Sequence, residues 1–247
     1  ARRRAPEADQ VEIEVLASGL NFRDVLNLLD MYPGEVGDPG NECCGRVVSV
    51  GEDVHGVEVG DLVTCIAENT FGSHVVSEAA MVFPVPAALS IAQAAAFPIA
   101  HLTAYLALYR LGGMESGDRV LIHAAAGGVG LAAVHLALAA GAEVLGTAGS
   151  PEKRAYLRSI GVRHVFDSRT TLSAEAVSEA TEGTGVDLLL NSLTGEAIDE
   201  GIRALAPGGR FLEIGLRELR TPAEVAEVRD DVEYTTMVLG EWCRQEP

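Results

Sequence analysis

Apolar positions change their rhythm along this 247-residue chain. Up to about residue 118 they alternate with polar ones in short stretches: VEIEVLASG (11–19), GRVVSVG (45–51), DLVTCIA (61–67) and SHVVSEAAMVFPV (73–85). Gly, Pro, Asn and Asp separate these stretches, and a period of two between such punctuation predicts β-strands. FRDVLNLLDM (22–31) breaks the series. Its apolar residues at 22, 25, 26 and 29 share one helical face, and the helix is predicted to end at Tyr32-Pro33-Gly34.

Beyond residue 118 the pattern becomes apolar run, turn and helix, repeated. RVLIHA (119–124), AEVLGTA (142–148), HVFD (164–167), VDLLLNSL (186–193) and GGRFLEIG (208–215) are the runs. Helical segments 127–141, 150–161, 172–183 and 195–206 lie between them. Runs apolar on both faces, spaced by helices, predict a doubly wound parallel sheet, so the fold class is α/β. A helical bridge, 89–118, is interrupted by Pro98 and closed by Gly112-Gly113, and the last stretch holds at most one more strand, around 232–239. The expected organisation is a β-rich domain over 1–110 and a dinucleotide-binding domain over 111–247.

Composition narrows the function classes. With 22% charged and 48% hydrophobic residues the chain is globular, and no run reaches the roughly 18 apolar residues of a membrane helix. The start, ARRRAPEADQ, leads into an alternating segment and not into an apolar signal core, so neither membrane nor export is expected and the assignment is cytoplasmic. Eighteen basic residues against 36 acidic give a net charge of -18, which repels a phosphate backbone and argues against nucleic acid as a partner. Only one of the basic residues, Lys153, is a lysine. Four cysteines without a CxxC pair read as reduced thiols, and the adjacent Cys43 and Cys44 as buried side chains.

The strongest local signal is Ala125-Ala126-Gly127-Gly128-Val129-Gly130, directly after a predicted strand and opening a predicted helix. A side chain at 127 would hold the backbone away from a pyrophosphate, Gly130 lets helix and strand pack closely, and the helix N-terminus offers free N–H groups to the anion. Where an NAD site carries an acidic residue, the next strand runs into Thr147, Ser150 and Lys153, which favours the 2′-phosphate of NADPH. The same residues also read as a helix cap at Ser150 with Lys153 on a solvated face.

Upstream, Gly40-Asn41-Glu42-Cys43-Cys44-Gly45 followed by Val47 and Gly51 resembles a signature of the medium-chain dehydrogenase/reductase superfamily. Its zinc alcohol dehydrogenases place a histidine ligand where this chain has Asn41. Histidines 55, 74, 101, 123, 135 and 164 show no ligand spacing, so no metal site is expected and hydride transfer should proceed without one. Longer strings narrow the resemblance: GLNFRDV (19–25), MYPGE (31–35), LTAY (102–105), HAAAGGVG (123–130), LNSL (190–193) and GGRFLEIG (208–215). Over about residues 11 to 215 the chain resembles the enoylreductase domain of a modular polyketide synthase.

That resemblance implies a GroES-like substrate domain beside a Rossmann domain, with NADPH delivering hydride to the β-carbon of an α,β-unsaturated acyl thioester. The substrate would ride on an acyl carrier protein, with a ketoreductase and other synthase domains as neighbours. Docking on this acidic surface would rely on local arginines such as Arg110, Arg154 or Arg158, each of which reads more readily as part of an ordinary solvated helix face. It puts Asn21 and Thr103 near the nicotinamide, and Ala126, Gly127, Gly128, Val129 and Gly130 along the pyrophosphate. Thr147, Ser150, Lys153 and Arg169 fall toward the adenosine and its 2′-phosphate, Asn191 and Gly215 at the nicotinamide end. Val25 matches a position linked to α-methyl stereochemistry, and cannot donate a proton.

Two departures stand out. The family's lysine and aspartate, associated with α-protonation, are replaced by Leu216 and Val238. Arg217 and Glu218, if they continue a strand, point to opposite faces. The chain is also C-terminally short of the family's last βα units and of the segment returning to the first domain. A catalytically silent synthase domain and a free-standing quinone reductase are the alternative readings.

Overall fold

A computed structural model describes residues 5–32 and 37–245. The Arg-rich start up to Arg4 and the Pro33-Gly34-Glu35 part of the MYPGE string lie outside the described residues. The chain forms two compact units, one from the residues up to Ala100 joined by those from Cys243 on, the other His101–Trp242.

The first unit is a five-stranded antiparallel sheet with strands β1 (Gln10–Ser18), β2 (Glu42–Val50), β3 (Leu62–Ile66), β4 (His74–Glu78) and β5 (Val82–Pro84), in the order β4-β1-β2-β3-β5. Alternation buries Val11, Ile13, Cys43, Val47, Val63 and Cys65 in one core. The stretch 73–85, read as one strand, is two: a 3₁₀ turn at Ala79–Met81 sends its halves to opposite edges of the sheet. β2 begins earlier than GRVVSVG suggests, which brings Glu42 into the sheet. Helix α1 spans Phe22–Leu28, and α2, Ile91–Ala95, starts from a Ser90–Gln93 capping box.

The second unit holds six parallel strands, β6 (Arg119–Ile122), β7 (Glu143–Ala148), β8 (His164–Asp167), β9 (Val186–Asn191), β10 (Leu205–Glu213) and β11 (Glu233–Thr236). Their order, β11-β10-β9-β6-β7-β8, is the doubly wound order 3-2-1-4-5-6 read from the other edge. Residues 233–236, in the stretch where at most one more strand is expected, supply the sixth strand of this sheet. Pro98 opens helix α3 (Pro98–Tyr105), at the N1 position where its missing N–H costs nothing, and a π-helical segment Leu106–Leu111 continues it onto β9 and β10. Helices α4 (Gly128–Ala140), α5 (Pro151–Ser159), α6 (Ala174–Ala180), α7 (Glu196–Arg203), α8 (Pro222–Val228) and α9 (Leu239–Gln245) follow the strands. No helix among the described residues is long and apolar enough to cross a membrane.

Candidate active site

The order of the second sheet reverses between β6 and β9, and in doubly wound folds the crevice at that point receives the dinucleotide. The glycine turn lies there. Gly127 N donates to Ala124 O at 2.8 Å, and Ala124 takes a left-handed backbone, φ 49°. A Cβ at Gly130 would collide with Ala124 O and come within 2.7 Å of Ala125 Cα, while around Gly128 there is open space. Ala125, in the first glycine position, is fully buried, and its methyl is accommodated by Gly146 on β7, where a Cβ would come 2.8 Å from Ala125 Cβ. The turn thus has the cradle shape a pyrophosphate requires, with Ala126, Gly128 and Val129 on its path into α4.

Thr147 serves this cradle from behind. It is buried, its hydroxyl accepts the Ala124 N–H at 3.0 Å and its carbonyl accepts the Ala125 N–H at 2.9 Å. Ser150 caps α5, its oxygen accepting the Lys153 N–H, and the Lys153 side chain is exposed. The Ser150 hydroxyl also holds the Glu152 carboxyl below its ordinary pKa. Arg169 donates from Nε to Gly149 O at 3.0 Å, which brings it beside Ser150. Of the three arginines considered for docking, Arg154 pairs with Asp167 at 3.0 Å and Arg158 donates to Val165 O, so both are engaged within the unit.

Asn191 closes β9 and is wholly buried. Its Oδ1 accepts the Leu193 N–H at 3.1 Å, which identifies the oxygen, and its Nδ2 donates to Leu193 O at 2.9 Å and to Glu213 Oε2 at 2.6 Å. His123 Nδ1, 2.7 Å from that oxygen, must be the donor, so the lone pair sits on Nε2. Burial holds the His123 pKa down and keeps the ring neutral. Glu213, buried at the end of β10, accepts the Gly215 N–H on Oε1 at 2.7 Å, with the Tyr234 hydroxyl 3.5 Å from Oε2. Desolvation pushes its pKa up to about 7 against the bonds from Asn191, Gly215 and Tyr234. This chain contains the buried His123 and Glu213 and the half-buried Tyr234, which sequence patterns do not single out as site residues; only the polar residues ending apolar runs hinted at it.

A cavity of about 270 Å³ opens over the strand ends, lined by His123, Thr147, Arg169, Leu172, Leu193 and Thr194 among others. Gly215 and Leu216 follow β10 in an irregular, partly exposed segment. Arg217 and Glu218 lie in a bend, not on a strand, so alternation of faces does not govern them. Glu218 instead accepts the Gly195 N–H at 2.7 Å at the start of α7. Val238 lies just past β11, and Thr103 is buried on α3.

The first unit gathers its own polar cluster. Asn21 precedes α1; its N–H is accepted by Asp24 and its Nδ2 donates to Glu42 Oε1 at 2.9 Å. Glu42 also receives the Ile99 N–H at 2.8 Å, in the first turn of α3, and burial raises its pKa. Asn41, in the position of a zinc-ligand histidine, donates to Asp24 at 2.8 Å, and Gly40 N–H reaches the same oxygen. The carboxylates are thus satisfied by amides, and among the described residues no three His, Cys, Asp or Glu side chains form a metal-binding group. Val25 is partly exposed on α1, beside the strongly exposed Phe22 and Leu28. Cys43 and Cys44 are both fully buried.

Two family profiles match separate stretches of the chain. The alcohol dehydrogenase GroES-like domain profile matches residues 7–87 and the zinc-binding dehydrogenase profile residues 128–242. A subunit of the phenolphthiocerol/phthiocerol polyketide synthase of Mycobacterium tuberculosis is 47% identical over 227 residues, 91% of this chain and 10% of that protein. Erythronolide synthase EryA2 of Saccharopolyspora erythraea is 46% identical over 235 residues, again 91% of this chain but 6% of its own length. The chain therefore spans a tenth or less of these curated relatives. The crystal structure of CurK enoyl reductase superposes with a TM-score of 0.94 at 42% identity, covering 100% of this chain and 78% of that one. Escherichia coli quinone oxidoreductase complexed with NADPH gives 0.88 at 27% identity, covering 98% and 76%.

Proposed function

Since this chain belongs to the medium-chain dehydrogenase/reductase superfamily, among the enoylreductase domains of polyketide synthases, we propose that it uses NADPH to reduce an α,β-unsaturated acyl thioester presented by an acyl carrier protein. The observation that carries the reading is the cradle at the switch point, where Ala124, Gly127 and Gly130 leave room for a pyrophosphate and no room for a side chain at 130. Bound there, the cofactor supplies a hydride.

The chain's own residues do the rest. N–H groups at the start of α4 bind the pyrophosphate, and Ser150, Lys153 and Arg169 receive the 2′-phosphate. Thr103 is the second unit's further cofactor position, and Asn21, held by Glu42, and Val25 on α1 are the first unit's assigned catalytic positions. Neither Leu216 nor Val238 can donate a proton, so the α-carbon takes its proton from water. Loss of a general acid lowers a rate by about 10²–10⁴-fold. Slow turnover is therefore part of the reading, and the silent-domain alternative is its limiting case.

Titration with NADPH and NADH, followed by addition of an enoyl-pantetheine thioester while the reduced-nicotinamide absorbance is recorded, tests this. NADPH should bind more tightly than NADH and be oxidised slowly, and Leu216→Lys should accelerate oxidation by at least about tenfold. Equal affinity for NADH would remove the 2′-phosphate assignment. Tight NADPH binding without oxidation in either protein would leave the silent domain as the function.

A further inference from the structure

The buried carboxyl of Glu213 has no place among the groups that touch pyrophosphate, 2′-phosphate or acyl chain, yet it joins the two strand ends on one side of the switch point. One oxygen holds the Gly215 N–H beyond β10, and the other holds Asn191 Nδ2 at the end of β9. Through Asn191 the same bonds reach the Leu193 backbone and His123. Ser150 and Arg169 stand at the ends of β7 and β8, on the other side of the reversal. A dinucleotide laid across the crevice with its 2′-phosphate on that side has its nicotinamide half over β9 and β10.

We propose that Glu213 is a positioning residue for the nicotinamide half: its carboxylate form, by gripping Gly215 N–H and Asn191 Nδ2 together, sets the two loop ends beneath that half, and protonation slackens them. The inference rests on the reading of the second unit as an NADPH site. A carboxylate offers both oxygens as acceptors to these two N–H donors, whereas a carboxylic acid must commit one oxygen's hydrogen elsewhere. The groups facing it are Asn191 from β9, the Gly215 backbone, Tyr234 from β11 with a pKa pushed up to about 12 by burial, and Arg220, which is paired with Asp199. His123 stands behind Asn191 and stays neutral. Tyr234 therefore remains a hydroxyl in the neutral range, where Glu213 titrates.

The test compares NADPH with 2′-phospho-ADP-ribose, which carries the same 2′-phosphate and pyrophosphate but no nicotinamide, on the whole chain. Titration of the ligands' common phosphate cancels in the ratio of their dissociation constants. That ratio should move against NADPH by about tenfold from about pH 8 to about pH 6, as Glu213 takes up its proton. In Glu213→Gln, where nothing ionises, it should be flat with pH. Without any variant, the carboxyl carbon resonance of labelled Glu213 should show a midpoint that NADPH lowers and 2′-phospho-ADP-ribose leaves alone, because binding and ionisation are reciprocally linked. A flat ratio in the unsubstituted protein, a slope that survives in Glu213→Gln, or a midpoint insensitive to NADPH overturns the assignment and leaves the NADPH site standing. If the unsubstituted protein binds neither ligand, the NADPH reading falls and this inference with it.

Discussion

Ala124 shows what the cradle asks of single residues. Its φ of 49° is a conformation in which an L side chain costs about 1–2 kcal/mol. The conformation is held by its N–H to Thr147 Oγ1 and its carbonyl to Gly127 N–H. Glycine would lose the strain and give back roughly 0.5–1 kcal/mol through the extra freedom of the unfolded chain. Ala124→Gly should therefore raise stability by up to about 1 kcal/mol in a denaturant titration, with NADPH affinity within about twofold of the original. A destabilised variant would mean that the methyl packs against something it needs. Glu152 works the other way: its carboxylate stands in the first turn of α5, beside Ser150, where a 2′-phosphate would be received. Removing that like charge in Glu152→Gln should tighten NADPH by a few-fold and leave NADH unchanged, a difference that two parallel titrations would read.

At the scale of elements, β7 and the turn after β6 are fitted to one another. Ala125 stands in a glycine position because Gly146 on the adjacent strand leaves space for its methyl. Gly146→Ala should cost about 1–3 kcal/mol by overpacking, and adding Ala125→Gly should recover most of it, a coupling that a double-mutant cycle would measure. Independent effects would show that the strands relax separately. Strong periodicity made the parallel strands and their helices legible, since each apolar run from RVLIHA to GGRFLEIG became a strand. What periodicity cannot carry is pairing across the sheet. The 3₁₀ turn at Ala79–Met81, the early start of β2 that buries Glu42, and the bend at Arg217–Glu218 all depend on which strand lies alongside. The glycine turn was visible because its chemistry is local. The His123–Asn191–Glu213–Tyr234 chain was hidden because its members come from four different strands or the residues just past them.

For the whole molecule, the net charge of -18 and the buried carboxyls set stability against pH in a determinate direction. Glu213 titrates near 4.5 unfolded and about 7 folded, so between those values the native state binds the extra proton and stability falls as pH rises. The full swing approaches about 3 kcal/mol, at about 1.4 kcal/mol per pH unit. Glu42, raised by burial, adds in the same sense. Exposed carboxylates at helix starts, Glu152, Glu175 and Glu224, together with Asp231 beside Arg229, are held low and act oppositely, losing their contribution as pH falls below the ordinary carboxylate range. Stability should therefore peak on the acidic side of neutral, and the carboxylate form that grips the nicotinamide end is the less stable one. Surface repulsion also relaxes on acidification, but it is screened at about 1 M salt, where the Debye length is near 3 Å. Urea midpoints from about pH 5.5 to about pH 8.5, followed by the single tryptophan, Trp242, should decline with pH in both low and high salt. A decline that vanished at high salt would assign it to the surface charge and remove Glu213 as its source, because a charge buried at the end of a core strand is out of reach of dissolved ions.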